Sequence, residues 1–354
     1  MSRPVIFSLS KKTLAWVRKG GRPTRVGRLV CFLYRWQAYW YERRLNLQRR
    51  LIPFKRVPCD PIFILGIWRS GTTFLHDLLS SCPGMAYPAT WQCMDSSSIG
   101  LRLPPDGRTH VKRPMDGLSI GALSPQEDEF ALLSLGIPSV YRGFFDPRRL
   151  PELVRWLNPA EWERASPCEW IDPFSNFLSS VSYNNPGRLI LKSPSHSFRI
   201  RALLKEFPNS SFIWVTRNPR DAFLSNRKMW LAMFERYSLW DWDLSILDQF
   251  LVAAFTSAAQ CLQEIVSAVP NDRLAIIDFY PLTNSPLATL ESVNRSLRLG
   301  DWQEMTIRIS GIVSERDRYR PDEYAQELFT PAVMNALQSL ENAQKNALEL
   351  YRVH

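Results

Sequence analysis

Residues 66–75 read Gly-Ile-Trp-Arg-Ser-Gly-Thr-Thr-Phe-Leu, and their types suit the binding of an oxyanion. Ser70, Thr72 and Thr73 carry hydroxyl donors, and Gly71 has no Cβ to hold a ligand off the backbone. Arg69 presents a planar fork of donors that matches phosphate or sulfate oxygens. The segment follows an apolar run and opens a helix pattern. Backbone N–H groups and the positive end of the helix therefore converge on one point. A capped helix start needs one Ser or Thr, whereas this turn holds three hydroxyls and an arginine. It lacks the lysine that a G-x-x-x-x-G-K-[ST] loop carries, which argues against ordinary ATP hydrolysis.

A second turn, residues 216–225 (Thr-Arg-Asn-Pro-Arg-Asp-Ala-Phe-Leu-Ser), repeats the pattern. Arg217 ends an apolar run, Pro219 suits the first turn of a helix, and Ser225 lies one or two helical turns further on. Two other clusters could move protons or steady charge. One is Lys192-Ser193-Pro194-Ser195-His196, after another apolar run; the other is Glu127-Asp128-Glu129, where a helix pattern begins. An acidic helix start is also what the helix dipole favours. His76 reads as a packed helix residue, and His110 and His354 carry no signal. Trp230, Trp240 and Trp242 fit either core packing or the aromatic wall of an acceptor groove.

These groups need a scaffold, and the pattern supplies one. Residues 62–67, 188–192, 211–216 and 274–279 read as short buried strands. Helix patterns follow them at 73–80, 198–207, 219–229 and 287–297, with further helices at 125–135, 246–268 and 331–351. Residues 83–125 read as loops and short helices over a pocket. Strands alternating with helices predict an α/β fold, a parallel sheet with helices on both faces. Ligands in such sheets sit at the carboxyl ends of the strands, where both turns and Lys192 fall.

Trp68-Arg69-Ser70-Gly71-Thr72-Thr73 resembles the 5′-phosphosulfate loop of sulfotransferases that use 3′-phosphoadenosine 5′-phosphosulfate (PAPS), with Trp68 in place of the usual proline. Residues 217–225 resemble the 3′-phosphate site of the same family, R-[ND]-P-x-D followed by a serine. The resemblance spans roughly residues 60–300. It implies a three-layer, P-loop-like sulfotransferase fold and sulfuryl transfer from PAPS to an acceptor hydroxyl, with no metal. It assigns the donor to Arg69, Ser70, Gly71, Thr72, Thr73, Phe74, Arg217 and Ser225, with Arg318 from a late basic cluster (Arg316, Arg318, Arg320) closing over the 3′-phosphate. In-line transfer needs cations near the leaving oxygen and a base near the acceptor. Lys192 and Arg69 suit the first role; His196 and Glu127 both suit the second, His196 because its pKa lies near neutrality. Elsewhere in the family a glutamate shortly after the first loop serves as base; here Trp91-Gln92 stands nearest, and glutamine cannot. Two other readings remain: a nucleotide kinase-like P-loop enzyme, and a non-enzymatic binding protein acting through its N-terminal arm.

That arm is defined by charge. Of the chain's net +10, residues 1–58 hold fifteen Lys/Arg against Glu42 alone, a balance of +14, which leaves −4 for residues 59–354. An anionic partner is implied, with a membrane surface favoured over nucleic acid. The stretch 29–41 is rich in aromatic residues with arginines beside it. It fits a helix at a lipid–water interface, and equally a helix docked on the body with its arginines in water. No stretch reaches 18 uncharged apolar residues. The six cysteines show no C-x-x-C spacing, and no secretory signal peptide is evident, so a reduced cytoplasmic setting, peripheral to the membrane, is expected. The acceptor is expected to be a hydroxyl-bearing lipid, glycolipid, carbohydrate or small alcohol.

Overall fold

The computed structural model describes residues 8–20, 24–52, 60–108, 110–113, 119–315 and 329–351. Five strands form its main sheet: β1 (Ile62–Leu65), β2 (Met85–Ala86), β5 (Arg188–Lys192), β6 (Ser211–Thr216) and β7 (Leu274–Asp278). Their spatial order is β2-β5-β1-β6-β7, and every neighbouring pair runs parallel. A small antiparallel pair, β3 (His110–Lys112) and β4 (Ser119–Gly121), stands apart.

Alternation along the strands separates two layers of core. Ile62 and Ile64 of β1, with Ile190, Ile213, Val215 and Ile277, pack against helices Thr72–Ser80, Pro286–Leu297 and Trp302–Glu315. Phe63 and Leu65, with Leu189, Leu191, Phe212 and Trp214, pack on the other side with helices Ile200–Glu206, Pro219–Tyr237, Leu244–Ala268 and Pro331–Leu350. The three-layer α/β architecture expected from the sequence is thus present. Helix Leu244–Ala268 is long and apolar enough to cross a membrane, yet Phe250, Leu251, Ala254, Phe255 and Leu262 are buried in this core. β1 ends earlier than the apolar run predicts, because Gly66 adopts φ +138°. A Cβ there would lie 2.7 Å from the Val215 carbonyl oxygen.

The loop region 83–125 also holds the edge strand β2, helix Thr90–Met94 and the β3/β4 pair. Elements this short carry no readable period.

The basic arm folds onto the body. Helix Lys11–Arg18 is tied down by Thr13 Oγ1 donating to the Leu133 carbonyl (2.6 Å) and Ser10 N to that of Ser134 (2.8 Å). Arg149 stacks over the Trp16 ring, 3.9 Å from its centroid. Helix Arg25–Leu51 buries Cys31, Ala38, Tyr41 and Leu45, and its Gln48 Nε2 donates to the Ser96 carbonyl at 3.0 Å. The expected boundary at residue 58 falls outside the described residues.

Candidate active site

The site forms where strand order reverses. β1 is central, the chain runs out to β2 and β5 on one side and then to β6 and β7 on the other, and the crevice opens at the carboxyl ends. The turn after β1 is shaped by its backbone: Arg69 sits at φ +68° and Gly71 at φ +98°. A left-handed conformation at a non-glycine residue such as Arg69 stores about 1–3 kcal/mol and persists only where its surroundings enforce it. Ser197 Oγ enforces part of it, accepting from Gly66 N (2.9 Å) and donating to the Gly66 carbonyl (3.1 Å). Helix Thr72–Ser80 then starts from Gly71 with no side chain capping it. Its first-turn N–H groups have no partner within the helix. Ser70 Oγ is fully buried with no hydrogen-bond partner among the described residues. An uncapped helix start and an orphaned hydroxyl are what an oxyanion would satisfy. A Cβ on Gly71 would come within 2.5 Å of the Phe279 ring, so the turn presses close against that wall.

The second turn meets the first. Leu65 of β1 pairs with Trp214 of β6, so the two turns leave adjacent strands. Arg217 Nη1 donates to the Arg69 carbonyl at 2.6 Å, and its guanidinium lies over the Phe279 ring at 4.5 Å. Arg69 Nε donates to Ser225 Oγ at 3.1 Å. Arg69, Arg217 and Ser225 therefore share one crevice. Phe74, by contrast, lends its ring to the core beneath the sheet. Arg318 and His354 lie outside the described residues.

A chain of hydrogen bonds crosses the mouth between β1 and β5. Trp68 Nε1 donates to Tyr141 Oη (2.9 Å), and Tyr141 Oη donates to Glu127 Oε2 (2.5 Å). Lys192 Nζ donates to Glu127 Oε1 (2.6 Å) and to Thr73 Oγ1 (3.3 Å). Tyr141 is buried, and burial followed by the Glu127 charge pushes its phenol well above the usual range, so it stays a donor. The Glu127 side chain keeps 14% of its surface exposed, against 3% for Lys192.

The neighbouring acids face elsewhere. Asp128 Oδ2 lies 2.9 Å from His196 Nε2, and Glu129 accepts two bonds from Arg199 at 2.6 and 2.9 Å. All four side chains are fully buried. Burial alone would raise the Glu129 carboxyl, but the Arg199 guanidinium overrides it and the net shift is downward. Arg199 Nη1 also donates to His196 Nδ1 at 3.3 Å, which fixes Nε2 as the protonated nitrogen facing Asp128. His196 thus has no free lone pair and no solvent access, and its ring packs on Phe63 and Phe174. Where the sequence leads one to expect His196 as a base, the structure finds its ring buried and both ring nitrogens engaged. Gln92 is buried as well, its Oε1 accepting from Ala89 N at 2.8 Å. His76 is fully buried, and burial, then the Lys192 charge, lowers its pKa to about 3. Trp230 and Trp240 are core residues, Trp230 packing edge-on to Trp68.

Tyr141 and Phe279 carry no sequence signal strong enough to single them out. Tyr141 sits in a 3-10 turn (Val140–Phe144) without periodicity. Phe279 follows β7 directly, the strand-end position already prized in β1, β5 and β6. Among the described residues no three His, Cys, Asp or Glu side chains converge as a metal site would require.

Fold and site together define an α/β protein whose two arginine-bearing turns meet at the ends of β1 and β6. Residues 61–304 match the family model described as the sulfotransferase family, and the chain belongs to that family. It is 29% identical over 308 residues to omega-hydroxy-beta-dihydromenaquinone-9 sulfotransferase Stf3 of Mycobacterium bovis and of Mycobacterium tuberculosis, covering 85% of this chain and 76% of those proteins. Two solved structures share its fold. Sulfotransferase STF9 from Mycobacterium avium aligns with a TM-score of 0.63 at 20% identity, over 96% of this chain and 89% of that one. Sulfotransferase STF1 from Mycobacterium tuberculosis aligns with a TM-score of 0.62 at 17% identity, over 96% and 90%. The chain is a sulfotransferase, and the kinase-like and non-enzymatic readings fall away.

Proposed function

We propose that this enzyme takes a sulfuryl group from PAPS and passes it to the hydroxyl of a lipid acceptor, with Glu127 as general base. The observation that carries the reading is the Arg217–Arg69 contact, which joins two anion-binding turns into one crevice. Arg69, the Ser70 hydroxyl, Thr72, Thr73 and the N–H groups after Gly71 would hold the 5′ side of the donor. Arg217 and Ser225 would hold its 3′-phosphate, with Arg318 as the expected closing group. PAPS supplies the activated sulfuryl group, and adenosine 3′,5′-bisphosphate is left.

Lys192 bridges donor side and acceptor side, touching Thr73 and Glu127 at once. Its ammonium is placed to neutralise charge that spreads over a transferring group. As that charge draws Lys192, the Glu127 carboxylate is left free to take the hydroxyl proton. Tyr141 holds the carboxylate in place through its 2.5 Å bond. A lipid acceptor is supported by the relative named for omega-hydroxy-beta-dihydromenaquinone-9.

The test is incubation of the enzyme with PAPS and a bacterial lipid extract, followed by mass spectrometry. A lipid heavier by one sulfuryl group, absent with Arg217→Ala, is expected. Products only in the water-soluble fraction would overturn the lipid acceptor. No sulfated product anywhere, with ATP turnover instead, would overturn the whole reading.

A further inference from the structure

Among the described residues, eight of the sixteen exposed large hydrophobic side chains belong to one element, helix Arg25–Leu51. A surface helix normally buries one apolar face and turns polar residues outward. This helix is apolar on both sides. Cys31, Ala38, Tyr41, Leu45 and Gln48 face the body, while Phe32, Leu33, Trp36, Trp40, Leu47 and Leu51 follow helical spacing along the opposite side. Phe32 and Trp36 are 66% and 68% exposed. Arg28, Arg35, Arg43 and Arg50, all exposed, recur every seven or eight residues and line one flank of that stripe. The helix carries a single acidic residue, Glu42, which accepts from Lys11 N at 3.2 Å on the docked side of the arm.

We infer that this outer face docks the enzyme on an anionic lipid bilayer, with the helix lying in the plane of the interface. Leucine and phenylalanine reach the acyl boundary, tryptophan suits the headgroup level, and the arginines meet anionic headgroups. The charge pattern decides between occupants. A second copy seated on the same face would bring two arginine-bearing stripes together, whereas an anionic membrane complements them. Gly100 N donates to Gln48 Oε1 at 3.1 Å, and a Cβ on Gly100 would press against Ile52. Three residues on, Leu103 is 88% exposed.

The docked side of the helix connects to the site through one braced segment. Tyr41 Oη is bonded to Ser96 Oγ (2.7 Å), and Arg44 pairs with Asp95 (3.3 Å). That segment continues back into helix Thr90–Met94, whose Trp91 N donates to the Ala122 carbonyl (3.0 Å). Gln126 N donates to the Pro88 carbonyl (2.9 Å), immediately before Glu127. Membrane docking deepens the lipid-acceptor reading, yet it rests on the surface alone.

The test is flotation of the full-length protein with vesicles, without donor or acceptor. Vesicles of equal phosphatidylcholine and phosphatidylglycerol are compared with phosphatidylcholine alone. Wild type is expected to float with the mixed vesicles and far less with the neutral ones. Trp36→Ser/Trp40→Ser should weaken partitioning at least tenfold on the order-of-magnitude scale of buried aromatic area. Arg28→Gln/Arg35→Gln should weaken it about fivefold per arginine on mixed vesicles only. Both variants should bind adenosine 3′,5′-bisphosphate as wild type does, which separates a failed surface from a failed fold or nucleotide site. Wild type left at the bottom of the gradient, variants that float unchanged, or a Trp36/Trp40 variant that turns a dimer into a monomer in light scattering would each overturn the inference.

Discussion

Glu127→Gln isolates the proposed base with almost no change of shape. The amide keeps an oxygen for Lys192 Nζ, now 2.6 Å from Glu127 Oε1. It also presents an NH₂ to Tyr141, whose hydroxyl donates to Oε2 and must turn to accept instead. The structural cost is that of a charged hydrogen bond made neutral beside a nearly buried lysine, about 1–3 kcal/mol. A positioned general base contributes about 100- to 10,000-fold to a proton-coupled transfer, or about 3–5 kcal/mol of barrier. The variant should therefore stay folded and bind adenosine 3′,5′-bisphosphate within a few-fold of wild type, while its single-turnover rate at saturating PAPS falls by at least about 100-fold. His196→Gln should show the opposite signature. It breaks the buried bond to Asp128 and lowers stability by about 1–3 kcal/mol, with the rate per folded enzyme little changed. A Glu127→Gln rate within about threefold of wild type, or a rate collapse confined to fully folded His196→Gln, would refute the base assignment.

Further outcomes follow from the same contacts. Tyr141→Phe removes the donor to Glu127 and strands the buried Trp68 Nε1, so stability should drop by about 1–3 kcal/mol. Without that donor the Glu127 carboxylate is less firmly held, so the single-turnover rate at saturating PAPS should fall as well. Arg69→Gly relieves the left-handed strain at φ +68° while deleting an anion donor. Thermal unfolding should stay within about 1 kcal/mol of wild type, and affinity for adenosine 3′,5′-bisphosphate should fall about 10- to 100-fold. His76, with its pKa depressed to about 3, stays neutral in the fold but charges in the unfolded chain. Its contribution is fully present above the unfolded value of 6.5 and is lost as pH falls toward 3, at up to about 1.4 kcal/mol per pH unit. In urea titrations at stepped pH, His76→Leu should flatten that slope; an unchanged slope would place the acid sensitivity in other groups.

Much of the scaffold was legible because buried parallel strands are short unbroken apolar runs. β5 and β6 fall at the residues their patterns predict, and β7 is one residue shorter. The placing of both arginine-bearing turns at strand ends was legible too, because each follows an unbroken apolar run and opens a helix. The division of labour among Glu127, Asp128 and Glu129 was not legible. It depends on a ladder of partners far along the chain: Lys192, His196 and Arg199 take one acid each. A histidine with a suitable intrinsic pKa reads as a base until its lone pair is found bonded to Arg199. Trp68, a departure from the usual loop pattern, gained its meaning only through Tyr141, 73 residues away. The arm could be read either as docked or as membrane-facing, and the helix that buries Tyr41 leaves Trp36 outward.

The joining of the two turns into one nucleotide site is tested most directly by calorimetric titration with adenosine 3′,5′-bisphosphate. One site per chain is expected, with affinity lowered about 10- to 100-fold by either Arg69→Ala or Arg217→Ala. Because Arg217 also holds the Arg69 carbonyl, the double variant should lose less than the product of the two single losses. Wild-type affinity in both single variants would contradict it.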